Sequence, residues 1–141
     1  MRIFVDTNVI LEFVLQREHY AKAKKAISES VTSGDELLMS VGGFYTMIFL
    51  VEKYFRKEMQ INRQEARNLT RNVMRKVLSV FIIAEHNAES LLKGIDDLSF
   101  TDIEDSCQYQ LAHKCGCEQI LTFNVSDYPT TAYTDVKVVA L

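Results

Sequence analysis

The chain has 141 residues, of which 48% are hydrophobic and 25% charged. That is the composition of one globular domain, 1–141, long enough to bury a core, and it excludes disordered, collagen-like and coiled-coil proteins. With 16 Lys and Arg against 19 Asp and Glu the net charge is −3, which excludes a wholly basic nucleic-acid binder and leaves room for a local basic patch.

In chain order, residues 2–5 are a β-branched and aromatic run and read as a strand. Helix-period patterns follow over 8–16 and 19–32, then a short strand at 37–40. Phe44, Met47, Ile48, Val51, Tyr54 and Phe55 recur at helical spacing and predict an amphipathic helix over 43–57. Asn62, with Glu65 three residues on, caps a helix running to 78. A strand at 80–84 and a short helix at 87–94 come next. Thr101 or Asp102 caps a helix ending at Gly116, and strands at 119–122 and 136–139 follow. Strands alternating with helices imply βαβ units. The expected fold class is α/β, a three-layer α/β/α sandwich around a four- or five-stranded, mainly parallel sheet. The longest apolar stretch, near 47–51, is too short to span a bilayer. No signal-like apolar core opens the chain, and Cys115 and Cys117 have neither zinc nor redox spacing. The expectation is a cytoplasmic protein with reduced thiols and no membrane partner.

In open parallel sheets the functional groups gather beyond the carboxyl ends of the strands. Here Asp6, Thr7 and Asn8 follow the first strand and Ser40 ends the second. Thr122, Asn124 and Asp127 follow the fourth, and Asp102, Glu104 and Asp105 open the helix before it. Taken singly, each is an ordinary cap or turn residue. Caps and turns do not account for their convergence on one sheet edge. Several carboxylates cannot all stay ionised in a dry site unless a cation joins them. Hard oxygen donors of this kind suit Mg²⁺ or Mn²⁺ and phosphoryl transfer. No Walker-type loop or dinucleotide fingerprint competes, and His19, His86 and His113 show no ligand spacing.

Three segments carry a resemblance. They are Phe4-Val5-Asp6-Thr7-Asn8-Val9-Ile10, then Thr101-Asp102-Ile103-Glu104-Asp105-Ser106 with Gln108, Ala112 and Gly116, and then Ile120 to Tyr128 with Thr122, Asn124 and Asp127. In this order and spacing the chain resembles the PIN domain over almost its whole length, in particular the small bacterial PIN proteins that are toxins of VapBC-like pairs. The resemblance implies a metal-dependent endoribonuclease, often dimeric, with RNA as substrate and a cognate antitoxin as partner. It implies Asp6, Asp105, Asp127 and Asn124 as the catalytic group. Asp6, Asp102, Asp105 and Asp127 would hold the metal, and Asn8, Thr122 and Ser40 would support them.

One position departs from that pattern. The family commonly has a Glu six residues after the Ser that ends the second strand, and here that position is Thr46. Glu52 lies roughly 9 Å further along the same helix. Glu12, in the helix after Asp6, is the better compensating candidate. The missing acid keeps a second reading open: a PIN module that binds RNA or a protein partner without cutting.

Any RNA contact must be local in a chain of net charge −3. Arg63, Arg67, Arg71 and Arg75 recur every four residues and form a basic stripe, with Ala66, Leu69, Val73 and Val77 on the opposite face. Arginine suits bidentate phosphate contact. A solvated helix face is the other reading of the same stripe. Tyr45, Tyr54 and Tyr109 offer rings for base stacking.

Overall fold

The computed structural model describes residues 1–129 and 132–141. Its elements are β1 (Arg2–Val5), α1 (Thr7–Leu15), α2 (Tyr20–Thr32), β2 (Glu36–Ser40), α3 (Val41–Lys57), α4 (Arg63–Val80), β3 (Ile82–Ala84), α5 (Ala88–Asp96), α6 (Ile103–Lys114), β4 (Gln119–Thr122) and β5 (Lys137–Ala140). All strand pairings are parallel, in the order β3-β2-β1-β4-β5. The sheet is thus the five-stranded form of the expected sandwich, with β1 at its centre.

The central strands are apolar at every position because helices cover both faces. Alternate residues point to opposite sides. Ile3 and Val5, Leu37 and Met39, and Leu121 face a cluster that contains residues of α1, α2, α3 and α4. Phe4, Leu38 and Ile120 face a second cluster with Tyr109, Leu111 and Ala112 of α6. α5 lies outside this second layer and packs on α6. No helix of the described residues is long and apolar enough to cross a membrane. The three cysteines are unpaired thiols, as expected.

Two boundaries differ from the sequence reading for packing reasons. The helix expected to end at 78 runs to Val80, so β3 begins at Ile82 and not at 80. Ala66, Thr70, Met74 and Val77 keep one face of α4 buried, and Phe81 continues that packing into the core. Gly94 does not end its helix; α5 continues to Asp96. A Cβ on Gly94 would stand 2.6 Å from Cys107 Sγ and 2.8 Å from Cys107 Cα, and Ser106 Oγ donates to the Gly94 carbonyl at 2.7 Å. This glycine is there for close approach of two helices.

Both predicted N-caps are formed. Asn62 Oδ1 accepts from the Glu65 N–H at 2.9 Å, and Asp102 Oδ1 accepts from the Asp105 N–H at 3.1 Å. Each satisfies an orphan donor of its helix.

Candidate functional site

The carboxyl edge of the sheet is built from the ends of β1 and β4 and the start of α6. Asp6 continues β1, with its N–H on the Leu121 carbonyl at 3.0 Å. Its side chain is only 6% exposed. Thr122 Oγ1, at the end of β4, donates to Asp6 Oδ2 at 3.0 Å and accepts from the Asn124 N–H at 3.1 Å. Asn124 Nδ2 donates to Asp127 Oδ1 at 2.9 Å, while Asn124 Oδ1 accepts from Ser126 Oγ at 2.6 Å. A chain of hydrogen bonds thus runs from Asp6 through Thr122 and Asn124 to Asp127. The β1–β4 register makes it possible, because Val5 pairs with Leu121 and brings the two strand ends level.

Asp105 reaches the same place from the first turn of α6. Burial, then the charges of Asp6, Asp102, Asp127 and Glu104, push its pKa up to about 7. Asp6 is also raised, first by burial, with Asp127 adding to the rise and the Thr122 hydrogen bond opposing it. The Tyr128 hydroxyl is pushed upward by burial and by the charges of Asp6, Asp105 and Asp127. It is buried beside Asp6 with no hydrogen-bond partner among the described residues. The Tyr128 ring meets Phe100 edge-on, with ring centroids 6.1 Å apart. Sequence reasoning gave Tyr128 no role. Its place directly after Asp127 was the available signal.

None of the ion pairs among the described residues includes Asp6, Asp102, Asp105 or Asp127. The four acids therefore repel one another without a basic residue to balance them. As they stand, no three His, Cys, Asp or Glu side chains among the described residues form a ready cage for a metal ion. That suits Mg²⁺ better than Ca²⁺, since Mg²⁺ is usually held by one or two carboxylates, waters and substrate phosphate. The donor set of carboxylates and hydroxyls fits such an ion in chemistry and charge.

The other sequence candidates fall in different places. Ser40 Oγ accepts from the Gly43 N–H at 2.9 Å and caps α3. Gly43 has no room for a side chain, since a Cβ would stand 2.7 Å from Thr7 Oγ1. The start of α3 is thereby pressed against the residue after Asp6. Asn8 is exposed and lines a separate recess with Arg17, Lys53 and Lys57. Glu12 does not compensate for position 46. It is held at the far end of α1, where it accepts from the His19 N–H at 3.0 Å and pairs with Arg17 at 3.1 Å. Glu52 pairs with Arg67 at 3.5 Å. Thr46 is exposed and shares a recess with Ser40, Glu104 and Gln108.

Arg63, Arg67, Arg71 and Arg75 are all exposed on α4, which packs on α3. Arg71 and Arg75 are held by Asn68 and Asn72 of their own helix, at 3.1 and 2.8 Å. Of the three tyrosines, Tyr45 is exposed and Tyr54 half-buried. Tyr109 is fully buried, with its ring against Phe100, so it is a core residue and not a stacking platform.

With this geometry in view, the comparisons with known proteins agree. The chain is 28% identical over 129 residues to Ribonuclease VapC1 of Aquifex aeolicus (strain VF5), covering 90% of this chain and 84% of that protein. Its fold is similar to that in the structure of VapBC-1 from nontypeable Haemophilus influenzae, with a TM-score of 0.68 and 17% identity over 99% of this chain and 98% of that one. It is also similar to that in VapBC2 from Rickettsia felis bound to a DNA fragment from their promoter, with a TM-score of 0.67 and 10% identity over 100% and 99%. The family model for the PIN domain matches residues 2–126. The match spans β1 to the loop that carries Asn124, and the chain belongs to the PIN-domain family.

Proposed function

We propose that this protein is a divalent-metal-dependent endoribonuclease and the toxin of a toxin–antitoxin pair. The observation that carries the reading is the raised pKa of Asp105, caused by burial beside Asp6, Asp102 and Asp127 with no basic partner. Groups held in such an electrostatic conflict mark functional sites. Family membership and the similarity to a ribonuclease and to VapBC assemblies support the substrate and the antitoxin partner.

Asp6 and Asp105, with Asp127 and Asp102 beside them, would hold Mg²⁺ or Mn²⁺. The ion would supply positive charge to the scissile phosphate and lower the pKa of the attacking water. The protein's own groups then have separate tasks. Thr122 fixes the Asp6 carboxylate by donating to Oδ2. Asn124 holds Asp127 and ties its loop to β4. Tyr128 walls the site from below and keeps water from the buried side of Asp6. The α4 arginines would meet RNA phosphates and position the chain without reading sequence.

Cleavage of a mixed set of structured RNAs tests the reading, with Mg²⁺, Mn²⁺ or EDTA and with Asp6→Ala run beside the wild type. Metal-dependent cutting that vanishes in the variant is expected. Absence of both cutting and metal binding would replace the enzyme with a non-cutting PIN module that binds RNA or a protein.

A further inference from the structure

A recess of about 260 Å³ opens between the first turns of α3 and of α6. Ser40, Gly43 and Thr46 line one side, and Glu104 and Gln108 line the other. It adjoins the acidic edge on both flanks. Gly43 abuts Thr7, the residue after Asp6, and Glu104 precedes Asp105. Glu104 and Gln108 are one helical turn apart, and Gln108 Nε2 approaches Glu104 Oε1 at 3.5 Å.

Two observations mark the recess as a site. Gln108 is only 3% exposed, yet its Oε1 has no hydrogen-bond partner among the described residues. A buried carbonyl oxygen without a partner is costly unless a ligand or an ordered water meets it. The second observation is one of elimination among carboxylates. Glu12 and Glu52 are committed to arginines, whereas Glu104 enters no ion pair among the described residues. The polar atoms left to the recess are a carboxylate, an amide carbonyl and the hydroxyls of Ser40 and Thr46. All are oxygen donors, the set that hard divalent cations and their waters prefer.

We propose that Glu104 supplies the carboxylate that position 46 lacks, so that it faces the same divalent cation as Asp6 and Asp105 from the opposite wall of the recess. Gln108 is then a positioning residue, holding Glu104 toward the ion through its amide N–H. The negative charge usual at the start of α3 has crossed to the start of α6. This inference rests on the metal-dependent reading of the site.

Mn²⁺ binding to the purified full chain tests it, read from the loss of the free-ion paramagnetic resonance signal. Glu104→Gln is expected to weaken binding about 10–100-fold, the range for groups that support a metal site. Combining it with Thr46→Glu is expected to restore most of the loss, since the two positions share one recess. Thermal melts confirm that both variants are folded. Wild-type affinity in Glu104→Gln, with loss in Asp6→Asn, overturns the role of Glu104 and leaves the metal reading standing. Loss without recovery in the folded double variant overturns the shared-ion assignment. Wild-type protein that binds no more Mn²⁺ than Asp6→Asn overturns the metal reading and this inference together.

Discussion

Asp6 and Asp105 are raised for the same reason: each is taken out of water beside other carboxylates. The sign of the consequence follows from linkage. A carboxyl whose folded pKa lies above its unfolded value binds more protons in the folded state, so stability falls as pH rises between the two. For Asp105 that window runs from its model value of 3.8 to about 7. Metal-free protein should therefore melt at a lower temperature at pH 8 than at pH 5.5. Asp105→Asn should flatten that slope, and millimolar Mg²⁺ should recover the loss at pH 8. A melting temperature that rises with pH across this range in EDTA contradicts the cluster. The Thr122 hydrogen bond opposes the rise at Asp6, so Thr122→Val should push Asp6 higher still. Cleavage by that variant should need more alkaline pH, which a pH–rate profile checks. Asp6, Asp105 and Asp127 were legible from the sequence because acids placed just after strands and at a helix start have few other reasons to recur. Glu104 was visible there only as one more acid at a helix start. Its distinction, a shared recess with Thr46 and Gln108, depends on how α3 meets α6.

At the scale of elements, the α5–α6 contact is the tightest point near the site. Gly94 lies within α5, and any side chain there would press on the Cys107 backbone. Gly94→Ala should cost about 1–3 kcal/mol through overpacking, although alanine is the better helix former. Chemical denaturation measures this, and an unchanged midpoint argues that α5 shifts freely. Because α6 carries Asp105, the same variant should lower activity more than a surface change of equal stability. The helix ends read well from sequence because caps are local: Asn62 and Asp102 act within three residues of themselves. The ending assigned at Gly94 failed because a glycine that stops a helix and one that admits a neighbouring helix look alike in one dimension. Position 80 failed for a related reason. Val80 suits a strand, but the buried stripe of α4 carries the helix through it.

For the whole molecule, two surfaces remain without a partner inside the chain. Tyr45 and Phe49 stand one turn apart on α3, exposed at 68% and 65%. Adjacent large apolar side chains left in water favour association. A second copy of the chain is the expected occupant, so Phe49→Glu should convert a dimer to a monomer in sedimentation analysis. A wild-type monomer at all concentrations refutes that expectation. The α4 arginines form the other surface. Arg71→Glu with Arg75→Glu should weaken RNA binding and make its salt dependence shallower, because each lost phosphate contact removes released counterions. Equal affinity and equal slope would identify the stripe as a solvated helix face.

The α/β fold, the parallel order of its strands and the acidic edge were readable in the chain of 141 residues itself. Each rests on periodicity and short-range chemistry. Apolar runs make strands buried on both faces, helical spacing supplies their covers, and polar residues collect where strands end. What needed the folded molecule was the allocation of side chains that look equivalent in the sequence. Glu12, Glu52 and Glu104 are all helical glutamates, yet two are engaged by arginines and one lines the cleft. Tyr109 and Tyr45 are both helical tyrosines, one in the core and one in solvent. Such choices are made by contacts between elements far apart in the chain, which no local pattern encodes.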